Sequence, residues 1–97
     1  MALKVTTRSL SFTGPGTKSD TASFGNKVRD GGAAIQGFNV NYGDNDHHLN
    51  KLLLVVKNVK VRDTFVDFDV EFDIKDGSNN HGAADLSVMV FADVEST

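Results

Sequence analysis

From residue 66 to residue 74 the chain alternates without a break: Val66, Phe68, Val70, Phe72 and Ile74 are separated by Asp67, Asp69, Glu71 and Asp73. Successive side chains of a β-strand project to opposite faces, so a strand sends the five apolar groups to one side and the four carboxylates to the other. A helix would scatter both kinds around its circumference and leave no face to bury. The segment therefore predicts a half-buried strand with one oily and one anionic face, and it sets the class of the whole chain as all-β.

With 97 residues the chain has room for one domain, residues 1–97, whose core must be aliphatic and phenylalanine-based. Seven Phe, one Tyr and no Trp leave little material for the aromatic platforms on which many sugar and base sites are built. The net charge of −3, with Lys and Arg dispersed rather than grouped, argues against nucleic acid as a partner, because phosphate neutralisation needs clustered cations. The absence of cysteine removes disulfides, thiolate metal sites and thiol catalysis. The sequence shows no signal-peptide pattern and no apolar run of about 18 residues that would span a membrane. The expectation is a soluble protein, cytoplasmic or exported without a classical leader.

Turn residues divide the rest of the chain. Residues 3–12 read as a strand with Leu3, Val5, Leu10 and Phe12 as its apolar positions, closed by Gly14-Pro15-Gly16. The polar stretch 17–21 reads as loop and residues 22–28 as a second strand with Phe24 and Val28 inward. Asp30-Gly31-Gly32 has turn composition, and Ala34, Ile35, Phe38, Val40 and Tyr42 then form a strand that Gly37 interrupts at a bulge. After a polar loop over 43–50, the five aliphatics 52–56 read as a strand covered on both faces. Residues 59–62 resume alternation and reach the acidic strand through Asp63-Thr64. A tight turn there pairs Val61 with Val66, Val59 with Phe68 and Lys60 with Asp67. A second polar loop, 75–82, precedes a last strand, 86–94, in which Met89 and Phe91 fall on the face opposite to Leu86, Val88, Val90, Ala92 and Val94. Apolar groups on a face that should be wet need a cover, so Met89 and Phe91 are candidate oligomer-interface residues. About six to eight short strands with no helical periodicity predict a single antiparallel β-sandwich of jelly-roll-like form.

Two features could carry chemistry. The acidic strand face, Asp67, Asp69, Glu71 and Asp73, spaces its carboxylates about 7 Å apart and could gather cations or a basic partner. Its plainer reading is a solvated strand face balanced by Lys60, Lys57 or Arg62. The loops concentrate oxygen and imidazole ligands: Asp44, Asn45, Asp46, His47 and His48 in one, Asp76, Asn79, Asn80 and His81 in the other, with Ser78 and Asp85 near the second. Neither completes a calcium or zinc site by itself, so calcium, the cation these oxygens would suit, requires the two loops to meet. Their plainer reading is hydrogen-bonded turns. No nucleophile elbow and no glycine-rich phosphate loop is present, which leaves no catalytic constellation and the expectation of a non-enzymatic protein.

From residue 50 to residue 94 the order of features resembles the H-type lectin family of small β-sandwiches: an aliphatic strand over 52–56, a strand carrying Val66 and Phe68, and a final strand Leu86-Ser87-Val88-Met89-Val90-Phe91-Ala92. The similarity covers under half the chain, which lacks the Trp such lectins carry in their last strands, and no sugar-contacting residue transfers. The resemblance implies a sugar-binding oligomer, commonly trimeric. Two functions are therefore expected from the sequence. One is a structural or adaptor module acting through self-association or partner binding. The other is a lectin-like carbohydrate-binding module, with or without calcium. The expected partners are a further copy of the chain, a glycan or a protein surface.

Overall fold

The computed structural model describes residues 2–41, 49–76 and 81–95. These residues form six strands: β1 (Ala2–Phe12), β2 (Gly16–Ser23), β3 (Val28–Asn41), β4 (Leu49–Arg62), β5 (Phe65–Asp76) and β6 (Ala83–Val94). They make two antiparallel three-stranded sheets, ordered β1-β6-β3 and β2-β5-β4. The result is an elongated sandwich of 54 × 19 × 16 Å in which β5 and β6 are the central strands of the two layers.

The two central strands carry the core. Val66, Phe68, Val70, Phe72 and Ile74 of β5 are at most 3% exposed, as are Ala84, Leu86, Val88, Val90, Ala92 and Val94 of β6. Burying a Val, Leu or Phe side chain contributes roughly 1.5–3 kcal/mol, so these two rows dominate the stability of the domain. Phe12 closes the core at one end, its ring 5.3 Å from that of Phe72. Phe24 and Val28 close the other end. Their backbone N–H groups donate to the Thr64 and Asp63 carbonyls at 2.9 and 2.8 Å, which fastens the β2–β3 connection to the tip of the β4–β5 hairpin.

That hairpin turns at Asp63 and Thr64 with Val61 opposite Val66 and Lys60 opposite Asp67, as the alternation predicts. The expected pairing of Val59 with Phe68 does not occur. A register shift between Lys57 and Lys60 replaces it, with Asn58 in the left-handed region at φ 55°. The bulge at Gly37 is present as a register shift between Ile35 and Gly37.

Both expected polar loops are shorter than their composition suggests, since residues 49–50 belong to β4 and Lys75 and the ligand candidate Asp76 to β5, and three further segments depart from the sequence pattern. The polar stretch 17–21 lies inside β2, and residues 24–27 form the connection instead of a strand. Strand β2 is a sheet edge, where Thr, Lys, Ser and Asp can reach water, so polarity there does not signal a loop. Asp30-Gly31-Gly32, turn-like in composition, lies inside β3. The glycines serve close packing: a Cβ on Gly31 would lie 2.8 Å from Val66 Cγ2 and 3.0 Å from the Phe91 carbonyl oxygen, and one on Gly32 would lie 2.5 Å from Phe91 Cζ. The aliphatic run 52–56 is not covered on both faces either. Leu52 and Val55 are 42% and 37% exposed, because β4 is an edge strand.

The two glycines are separable by mutation. Gly31→Ala sets a methyl group against Val66 and backbone, and should cost about 1–3 kcal/mol. Gly32→Ala meets only the far end of the Phe91 ring, which can swing outward, so its cost should be clearly smaller. Denaturant melts of both variants check the order, and equal losses would contradict the packing described.

Candidate functional site

The acidic row of β5 faces outward on the β2-β5-β4 sheet, between the hydroxyl-bearing β2 and the cationic β4. Register places Thr21 and Lys60 on either side of Asp67, Ser19 and Lys57 beside Asp69, and Val55 beside Glu71. Asp67 takes a bidentate pair from Arg62, with Nε 2.9 Å from Oδ2 and Nη2 3.2 Å from Oδ1, and accepts the Thr21 hydroxyl at 2.7 Å. Asp69 accepts from the Ser19 hydroxyl at 2.6 Å and from Asn58 Nδ2 at 2.9 Å. Glu71 pairs with Lys57 at 3.0 Å. Asp73 pairs with Lys51 at 3.2 Å and lies 2.9 Å from His81 Nδ1.

These bonds hold three carboxyls below the usual aspartate range. The cause for Asp67 is its hydrogen bonds from Arg62 and then Thr21, for Asp69 those from Ser19 and Asn58, and for Asp73 those from His81 and Lys51. A row that looks in sequence like a bare anionic stripe is thus matched, residue by residue, by donors from the neighbouring strands. A shallow concavity of about 490 Å³ lies over it, lined in part by Ser19, Thr21, Asn58, Lys60, Asp67 and Asp69.

Of the loop candidates, Asp44, Asn45, Asp46, His47, His48, Asn79 and Asn80 lie outside the described residues. The strand ends that flank both loops do share one end of the sandwich, since Asn41 pairs with Ala83 and Leu49 with Asp76. Asp76 is buried and His81 is exposed. His81 engages Asp73 of the acidic row. Among the described residues no three His, Cys, Asp or Glu side chains are grouped to hold a metal ion.

The outer face of the other sheet is of a different kind. Register sets Leu3 beside Asp93, Val5 beside Phe91 and Thr7 beside Met89. Met89 and Phe91 are half-buried, the Phe91 ring lying across Gly32, while Leu3 and Val5 stand 73% and 56% exposed. The sequence marks Met89 and Phe91 as needing cover. It does not mark Leu3 and Val5, because only pairing reveals that they join the same patch.

The two long sides of the sandwich also differ. Where β1 lies over β2, the inward rows end in Lys4, Thr6 and Arg8 against Lys18 and Asp20. Arg8 clasps Asp20 with Nε 2.9 Å from Oδ2 and Nη2 3.2 Å from Oδ1. Burial pushes the Asp20 carboxyl up, but the Arg8 hydrogen bonds, the Thr21 N–H and the Arg8 charge together outweigh it and leave it below its ordinary value. Lys18 reaches the Ser11 carbonyl and lies over the Phe12 ring. That side is closed by polar groups. Where β3 lies over β4, the inward rows end in apolar groups that remain exposed: Phe38 at 53%, Leu52 at 42% and Val61 at 39%. Their register partners Leu86, Ile74 and Val66 are buried, so these residues belong to core rows but lack cover. No periodicity in the sequence distinguishes them from residues of a central strand.

Comparison with protein families, with characterised proteins and with solved structures yields no match to this chain. Among the described residues no helix is long and apolar enough to cross a membrane.

The lowered carboxyl groups fix the direction of the acid response. Above the unfolded aspartate value of about 3.9, Asp20, Asp67, Asp69 and Asp73 are ionised in both states and their stabilisation is complete. As pH falls below that value the unfolded chain takes up protons first, and this stabilisation fades until the native carboxyls protonate as well. The melting temperature should therefore be level from pH 7 to about 5 and fall towards pH 3. The double variant Asp67→Asn, Asp69→Asn should show a shallower fall in calorimetry at matched ionic strength.

Proposed function

We propose that the protein is a non-enzymatic assembly module that self-associates along the side where β3 and β4 overlap. The observation that carries this reading is the exposure of Phe38, Leu52 and Val61 beside the buried core residues Leu86, Ile74 and Val66 with which they are in register. The opposite side shows how this chain finishes an edge meant for water, with Arg8, Lys18 and Asp20. Strands β3 and β4, both 14 residues long, are also sheet edges, and each leaves one flank of backbone N–H and C=O groups without a neighbour in its sheet. A second copy set against this side would continue both the apolar rows and the hydrogen-bonded ladders, in the self-complementary manner of a two-fold interface.

A second reading, a lectin-like module, is supported by the concavity over the acidic row. Its Ser, Thr, Asn and Asp side chains are groups that grip sugar hydroxyls, and a ligand there would exchange internal hydrogen bonds for its own. Glycan-array screening with and without a chelator tests this reading: saturable signal on any glycan supports it, and silence under both conditions removes it.

Self-association is tested by sedimentation velocity across a concentration series. The parent chain should form a dimer or larger species in the micromolar range, and the double variant Leu52→Lys, Val61→Lys should remain folded by circular dichroism while its dissociation constant rises by about tenfold or more. A parent chain that is monomeric at every concentration would overturn the proposal.

A further inference from the structure

The outer face of the β1-β6-β3 sheet differs from the acidic row in one decisive respect: its carboxylates are uncompensated. Asp30 and Asp93 face each other at one end of β6, and Asp85 stands towards the other end beside Asn39 and Ser11. Among the described residues no Lys or Arg pairs with any of the three, and Arg29, next to Asp30, makes no ion pair with it. Asp85 accepts the Ser11 hydroxyl at 2.7 Å and Asp30 accepts the N–H of Gly31 at 2.9 Å, bonds that leave both charges in place. Oδ1 of Asp93 is buried without any hydrogen-bond donor. Like charges directly opposite one another on neighbouring strands destabilise a sheet, so the Asp30–Asp93 pair is a place where an added cation would relieve repulsion. Beside it lies a hollow of about 140 Å³ lined by Leu3, Asp30, Gly31, Phe91 and Asp93, apolar on one wall and anionic on the other. That is the shape of a receptor for a lysine side chain, whose stem packs on apolar surface while its ammonium meets oxygen.

At the Asp93 end Leu3, Val5, Phe91 and Met89 form an apolar patch, and the paired Ser9 and Ser87 separate it from Asp85. From Asp93 to Asp85 is eight residues of strand, about 26 Å, which equals the length of a helix of about 18 residues. Strand β6 is hydrogen-bonded on both sides, so this face offers side chains and no free backbone ladder. A helix laid across it is the layer that such a sheet accepts. A second copy of the same face would set carboxylates against carboxylates, and anionic lipid or nucleic acid would be repelled in the same way.

We propose that the outer face of the β1-β6-β3 sheet is a docking surface for a basic amphipathic helix of a partner protein, with an aliphatic stripe over Leu3, Val5, Met89 and Phe91 and a lysine at one end seated between Asp30 and Asp93. The surface is separate from the β3/β4 side, so a folded monomer would bind as well as an oligomer.

The test uses the full chain and two synthetic 18-residue helical peptides with the same leucine stripe, one carrying Lys in its first and last turns and the other Glu. In heteronuclear NMR titrations the Lys peptide should bind saturably, moving the amide signals of β1 and β6 while those of β4 stay in place. The double variant Asp30→Asn, Asp93→Asn should weaken binding at least tenfold. The variant Glu71→Gln, which removes charge from the opposite sheet, should bind as the parent does. No saturable binding of the Lys peptide, equal binding of the Glu peptide, full affinity of the Asp30/Asp93 variant, or signals moving on the acidic row would each overturn the proposal.

Discussion

Val66, Phe68, Val70, Phe72 and Ile74 of one sheet pack against Leu86, Val88, Val90, Ala92 and Val94 of the other, and the rest of the molecule is arranged around those two facing rows. Each sheet is three strands wide, so there is one central strand per layer with one edge strand on either side of it. A sandwich this narrow has a high proportion of edge, and how each edge is finished decides where the protein can meet another molecule.

The chain finishes its edges in two ways. On the β1/β2 side the inward positions change from apolar to ionic, and the Arg8–Asp20 clasp spans the two layers. On the β3/β4 side the inward positions remain apolar to the last strand. The glycines of β3 belong to the same economy of space. Gly31 lets β3 approach Val66, and Gly32 makes room for the Phe91 ring, so that an aromatic group which would otherwise stand in water lies flat on its own sheet.

Electrostatics distributes the charges in a manner opposite to their appearance in the sequence. The conspicuous carboxylates of 67–73 are satisfied by Arg62, Lys57, Lys51, His81 and the hydroxyls of β2. The inconspicuous ones, Asp30, Asp85 and Asp93, lie far apart in sequence yet share one face without a cation among the described residues. A paired surface charge exerts little net attraction on a newcomer, which separates the first set from the second electrostatically.

Local sequence was enough for the all-β class, the sorting of residues 66–74 into buried and solvated rows, the turn at Asp63-Thr64 and the irregularity at Gly37. Each follows from period-2 geometry or turn chemistry acting within a few residues. Strand neighbours, which no local pattern names, make residues 17–21 an edge strand, put Gly31 and Gly32 within a strand, leave Leu52 and Val61 uncovered, and gather Leu3, Val5, Met89 and Phe91 into one patch. These outcomes depend on which strands are neighbours, and a strand's own residues carry its alternation but not the identity of what lies beside or above it.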